Sequence, residues 1–142
     1  MTDPQRQLVR RFFDGLTSGA FDADLFTDDV TCWTTASGKM DAAQYRAVPL
    51  MLERVFPEGI AFHIDTIIAE GDRAAAEVRS EGTFDGDQLY TNDYVFIFSF
   101  SGDRIASVAE HLNPLRVSRA LGARMMAALA ELNPASPAPD PG

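Results

Sequence analysis

The sequence predicts an α+β fold: a curved antiparallel sheet with helices across its concave side, and a further helix at the C-terminal end. Three observations carry this. Residues 1–56 hold two helical apolar patterns around one short strand-like run. Residues 60–112 hold four consecutive strand-like runs, rich in β-branched and aromatic side chains. Those runs are separated by "EGD", "DGD" and "SGD", turn chemistry in which glycine supplies positive φ. Sequential strands tend to pair with their neighbours, so an antiparallel meander is the simplest topology.

The elements follow in order. In "PQRQLVRRFFDGLTSG", Leu8, Val9, Phe12, Phe13 and Leu16 share one helical stripe. Asp3 suits the cap, Pro4 the first helical position and Gly19 the end. "FDADLFTDD" reads as a short helical turn. "VTCWTT" reads as a strand, closed by "ASGK". Asp41 can cap a second helix, "AAQYRAVPLMLERVF", which Pro49 should kink or divide. "PEG" stops it, and the four strands follow. Pro114 then starts a last helix, "LRVSRALGARMMAALAEL", with Asn113 as its cap. Residues 1–132 are expected to form one domain, and the Pro-rich residues 133–142 a disordered tail.

Composition narrows the partners. The chain has 142 residues, 46% of them hydrophobic, enough for a real core in one domain. Its 12 basic against 21 acidic residues give a net charge of −9. That argues against nucleic acid or an anionic membrane as partner, since both need clustered Lys and Arg. Cys32 is the only cysteine, so no intrachain disulfide forms, and His63 and His111 are the only histidines. No metal-spaced cluster, phosphate loop or nucleophile elbow is present, so the site is expected to use neither metal nor cofactor. The N-terminal stretch has no signal-peptide core and no run is long enough to span a bilayer. A soluble, cytoplasmic protein is the expectation.

Period-two alternation sorts the strand faces. Tyr90, Asn92, Tyr94, Phe96, Phe98 and Phe100 share one face, which the aromatics mark as the helix-covered side. Val95 and Ile97 lie on the other, an apolar patch suited to packing a homodimer through the outer sheet face. In "RAAAEVRSEG", Glu77, Arg79 and Glu81 share a face, and period alone favours a solvated one. In "RIASVAEHLN", Ala106, Val108, Glu110 and Leu112 share one face, and Ile105, Ser107, Ala109 and His111 the other. Periodicity alone does not choose between them. A Glu110 held between Val108 and Leu112 would be desolvated and its pKa raised, as acid–base work near neutral pH requires.

The arrangement, and especially "GTFDGDQLYTNDYVFIFSFSGDRIASVAEHLN", resembles the SnoaL-like group of the nuclear transport factor 2 superfamily. Further matching elements are "LTSGAFD..LFTDDV" and "IIAEGDR". The resemblance runs from about residue 8 to residue 121. It implies a cone-shaped curved sheet wrapped around the N-terminal helices, with an apolar pocket at its mouth. The superfamily includes ketosteroid isomerase, limonene epoxide hydrolase, scytalone dehydratase and polyketide cyclases, so fold alone does not name a reaction.

What the resemblance implies for single residues differs by relative. The three functional positions of ketosteroid isomerase align with Phe12, Thr34 and Phe96, none of which titrates usefully. Its steroid isomerisation mechanism therefore does not carry over. The Asp–Arg–Asp set of limonene epoxide hydrolase aligns with Glu77, Arg79 and Glu110, with the paired strand positions swapped. That turns Glu77 and Arg79 into pocket candidates and reverses the period-only preference. The strand-end acid of the cyclases aligns with Asn113, leaving Glu110 or His111 as the base there.

Glu110, Arg79, His111 and Glu77 are thus the candidate catalytic residues. Asn92, Tyr94, Phe96, Trp33, Thr34, Phe12, Tyr45 and Asn113 are the candidate substrate contacts. Two functions fit. One is a cofactor-free isomerase, cyclase, dehydratase or hydrolase acting on a hydrophobic small molecule in an aromatic-lined pocket. The other is a non-catalytic domain of the same fold that binds an apolar ligand or a partner.

Overall fold

A computed structural model describes residues 3–132; the tail expected at 133–142 lies outside them. Helix α1 (Asp3–Ser18) opens the chain and buries Leu8, Val9, Phe12, Phe13 and Leu16, the stripe read from the sequence. Gly19, at φ 84°, ends it. A 3₁₀ turn (Ala23–Leu25) is capped by Asp22, whose side chain accepts from the Asp24 N–H. Strand β1 (Phe26–Thr34) then starts four residues before the expected run. It turns back into β2 (Gly38–Met40), a short strand that "ASGK" conceals.

Asp41 caps α2 (Ala42–Arg46) through a capping box with Gln44. The chain breaks at Ala47, and α3 (Val48–Val55) begins with Pro49 in its first turn. Pro49 has no N–H to donate, so it divides the predicted helix rather than bending it. The four strands follow as β3 (Ile60–Glu70), β4 (Arg73–Phe84), β5 (Gln88–Ser101) and β6 (Arg104–Leu112). Pro114 starts only a 3₁₀ turn (Pro114–Arg116), with the Asn113 side chain accepting from the Leu115 N–H. The last helix, α4 (Arg119–Leu132), begins later, where Ser118 Oγ accepts from the Leu121 N–H.

The six strands form one sheet in the order β2-β1-β6-β5-β4-β3. The β3–β6 meander is antiparallel, as expected. Strand β1, however, pairs with β6 in parallel, so the sheet is mixed. That pairing closes a loop of about 75 residues and leaves no local signal in the sequence. Two irregularities matter. The register shifts between Ile64 and Thr66 in β3, and around Ala106 in β6. Each inserts one extra residue and flips the alternation. Ile105 and Val108 are therefore both buried, although strict alternation puts them on opposite faces.

The core lies between α1, α3 and the inner sheet face. Phe12, Phe13, Phe26, Phe96 and Phe98 form one aromatic cluster there, with the Phe13 and Phe96 ring centroids 4.9 Å apart in edge-to-face geometry. Such pairs contribute about 1 kcal/mol each beyond the apolar area they bury.

Candidate active site

Beside this cluster the core does not fill. A cavity of about 400 Å³ remains between the inner sheet face, α2, α3 and α4, within the range that holds small organic ligands. Its walls are largely apolar. Leu16, Leu52, Ile60, Phe62, Leu112 and Leu129 contribute, and so do Met40, Met51, Met125 and Met126. Every methionine after Met1 thus faces the cavity. Methionine is unbranched and polarisable and adapts to varied apolar shapes. The polar groups in the wall are few: Glu110, three tyrosines, and the Thr34–Ser37 turn with Ser118.

Glu110 is placed by the centre of the sheet. Strand β6 runs between β1 and β5, so Glu110 lies opposite Thr34 on one side and Phe96 on the other. Its carbonyl accepts from the Thr35 N–H at 3.0 Å, which pins the strand end. The side chain points inward with Val108 and Leu112. It keeps some accessible surface, but that surface opens onto the cavity, and protein surrounds it otherwise. Among the described residues no cation or hydrogen-bond donor meets the carboxyl. Burial alone raises its pKa from the ordinary carboxylate range to about 7.

The tyrosines stand around it. Tyr45, from α2, is buried and donates its hydroxyl to Cys32; burial, then Cys32 and Glu110, hold its pKa well above the usual phenol range. Burial also pushes the Cys32 thiol up to about 12, with Glu110 adding to the effect, so the thiol is not a nucleophile near neutral pH. Tyr90 and Tyr94 of β5 line the other wall. Their hydroxyls lie 3.0 Å apart, and Tyr94 also meets Ser80 Oγ at 2.8 Å. Burial raises both phenols. Asn92 is buried behind them. It donates to Tyr90 Oη at 2.9 Å and to the Asn113 carbonyl at 3.0 Å, and its Oδ1 accepts from the Asp93 and Asn113 N–H groups.

The remaining candidates lie elsewhere. Arg79 and Glu77 are on the outer face of β4, because Ala76, Val78 and Ser80 take the inner one. Arg79 makes a two-pronged ion pair with Asp65, at 2.8 and 2.9 Å, and does not reach the cavity. An acid–arginine–acid set with Glu110 is therefore not assembled, and the reading that brought Glu77 and Arg79 inward is corrected; alternation was the better guide. His111 is exposed on the outer face, its ring centroid 4.9 Å from that of Trp33. Trp33 is 41% exposed there. Neither is pocket wall, because their neighbours Thr34 and Glu110 take the inner side. Phe12 and Phe96 point inward but fill the aromatic cluster, Phe12 packing behind Tyr45 at 6.3 Å. Asn113 serves its turn, with its side chain committed to Leu115. His63 is exposed on β3.

Of the sequence candidates, Glu110, Thr34, Tyr45 and Tyr94 line the cavity and Asn92 braces it. Tyr90, Ser80 and the methionines were missed as site residues. Tyr90 could have been found, since it shares the inner face with Tyr94. The methionines gather from three separate elements, β2, α3 and α4, and the sequence does not unite them.

No group of three or more His, Cys, Asp or Glu with the arrangement of a metal site occurs among the described residues. No described helix is long and apolar enough to cross a membrane.

Comparison with known proteins agrees with this architecture. The family of SnoaL-like domains matches residues 9–108. The chain belongs to that family, and its fold is nuclear transport factor 2-like. Among solved structures, a nuclear transport factor 2-like protein from Anabaena variabilis is 24% identical, with a TM-score of 0.69, over 78% of this chain and 87% of that one. A protein from Jannaschia sp. CCS1, provisionally described as a SnoaL-like polyketide cyclase, is 20% identical, with a TM-score of 0.68, over 84% and 92%. An epoxide hydrolase of the limonene type from M. tuberculosis is 17% identical, with a TM-score of 0.65, over 92% and 95%. At these identities the likeness is one of fold. No curated protein matches the chain significantly in sequence.

Proposed function

We propose that this protein is a cofactor-independent acid–base enzyme acting on a hydrophobic small molecule, with Glu110 as the group that takes and returns the proton. One observation carries the reading: a single carboxyl, without a counter-charge, faces an apolar cavity of ligand size. Near neutral pH such a group is populated in both protonation states, so it serves as acid and as base within one turnover. Isomerisation, ring closure, dehydration and hydrolysis all fit this chemistry. Thr34 and Tyr45 shape the wall beside Glu110, and the methionines accommodate the apolar body.

A carbon-13 NMR titration of the glutamate carboxyls tests this. Glu110 is expected to titrate near pH 7, and its signal should vanish in Glu110→Gln. A midpoint near the model-peptide value of about 4.3 removes the acid–base role.

One observation favours the second reading, a ligand-binding domain without turnover. Among the described residues, Glu110 is the only carboxylate or imidazole in the cavity wall. If Glu110→Gln binds a co-purified ligand as tightly as the wild type and neither form alters it, the binding reading stands. We also place a second copy of the chain against the outer sheet face, where apolar side chains are exposed.

A further inference from the structure

The hydroxyls of Ser80, Tyr94 and Tyr90 form a chain with two oxygen–oxygen contacts, at 2.8 and 3.0 Å. Three hydroxyls carry three hydrogens, and each contact uses one. One hydrogen is left over. Its place can be worked out. Asn92 Nδ2 already donates to Tyr90 Oη, so Tyr90 accepts from that side. Ser80 is buried, and among the described residues it meets no acceptor other than Tyr94. If Tyr94 donated to Ser80, the Ser80 hydrogen would be buried and unpaired, which is unfavourable. Ser80 therefore donates to Tyr94. The spare hydrogen then belongs to Tyr94 or to Tyr90, and both tyrosines line the cavity.

We propose that the Tyr90–Tyr94 pair is the oxygen-binding end of the cavity, donating one hydrogen bond to the carbonyl oxygen of an apolar ligand. The wall composition sets the ligand class: an apolar body against the methionines and leucines, with one carbonyl group. The donor is preorganised. Asn92 is held through four hydrogen bonds to Tyr90, Asp93 and the Asn113 turn, so the tyrosine oxygens stay in place whether or not a ligand is present. Donation from Asn92 into Tyr90 also polarises the chain toward the cavity. Glu110 lies diagonally across from Tyr94, since Tyr94 faces Leu112 and Phe96 faces Glu110. Such diagonal neighbours are about 7–8 Å apart at their bases, within the span of one small molecule. The inference rests on reading the cavity as a ligand site, but not on Glu110 being catalytic.

The test uses two inert probes of the same shape, 2-acetylnaphthalene and 2-ethylnaphthalene, with the full chain. The isotope-edited infrared carbonyl stretch of the bound ketone is expected at lower wavenumber than in hexane. The shift should persist in Glu110→Gln and at a pH where Glu110 is ionised. It should be lost in the double variant Tyr90→Phe, Tyr94→Phe, with the ketone binding about fivefold weaker and the ethyl compound unchanged. An unshifted stretch in wild type overturns the proposal, whether or not the double variant folds. So does a shift that disappears in Glu110→Gln, which would make the protonated carboxyl the donor. Failure of both probes to bind overturns the proposal together with the cavity reading. A normal shift combined with an unperturbed Glu110 titration would leave the oxygen site standing and remove only the acid–base role.

Discussion

At the scale of the residue, Glu110 is where the proposed function opposes stability. Its pKa is about 7 in the folded chain, against about 4.3 when unfolded. Between those values the native state holds a proton that the unfolded state has released. Stability therefore falls as pH rises through that window, and is level below about pH 4 and above about pH 8. The shift corresponds to a ceiling of about 4 kcal/mol, less whatever water in the cavity returns. Glu110→Gln keeps the shape and removes the ionisation. It is expected to be about 1–3 kcal/mol more stable than wild type at pH 8 and about equal at pH 4, read by urea unfolding at both. Equal stability at both would mean that the carboxyl is solvated. Arg79→Ala gives the contrast. Its partner Asp65 is exposed, so the change should cost under about 1 kcal/mol and leave the Glu110 midpoint where it was. Only Arg79 was readable from alternation, with Glu77 and Glu81 as its face-mates; Glu110 shares a face with Val108 and Leu112, but alternation alone did not say which face of β6 turns inward. Arg79 was misplaced because a relative's catalytic pattern was allowed to override the period.

At the scale of the element, legibility follows locality. The α1 stripe, the capped α2, the glycine turns and the inner face of β5 are all encoded by neighbours in sequence, and all form as read. What escaped is non-local or irregular. The parallel β1–β6 pair joins segments far apart in the chain. The extra residue near Ala106 makes β6 change phase, which is why periodicity left its two faces undecided. Helix α4 was expected from Pro114, but the Asn113 cap holds only a 3₁₀ turn before Ser118 starts the helix. Its docking is testable, because α4 closes the cavity largely through side chains of unequal burial. Leu121 is fully buried. Leu121→Ala should cost about 2–4 kcal/mol and speed hydrogen exchange along α4. Leu115, 92% exposed in the preceding turn, is the control: Leu115→Ala should change stability by less than about 0.5 kcal/mol. Equal effects would mean that α4 does not seal the cavity as described.

At the scale of the whole molecule, the outer sheet face is where the fold leaves apolar surface without cover. Register lines up Trp33, Ala109, Ile97, Ala75 and Ile68 as one row across five strands. Trp33 and Ile68 at its ends are 41% and 63% exposed, and Val95 beside it is 39% exposed. Only Val95 and Ile97 were legible as a patch, since the row exists only once the strands are paired. A two-fold axis through its middle would bring Ile97 against its own copy, the self-complementary contact of a homodimer. Two such faces would bury about 800 Å² each if they met as a standard interface. Charge opposes the encounter, because each copy carries −9. Added salt should therefore strengthen association rather than weaken it, as screening removes the repulsion while apolar contact remains. Sedimentation analysis is expected to show a dimer whose dissociation constant falls as salt rises. Ile97→Glu should yield a monomer in which Glu110 still titrates near pH 7, because residue 97 faces away from the cavity. A wild type that stays monomeric at high micromolar concentration in 1 M salt, where the Debye length is about 3 Å, would leave this row an uncovered surface and sink the dimer.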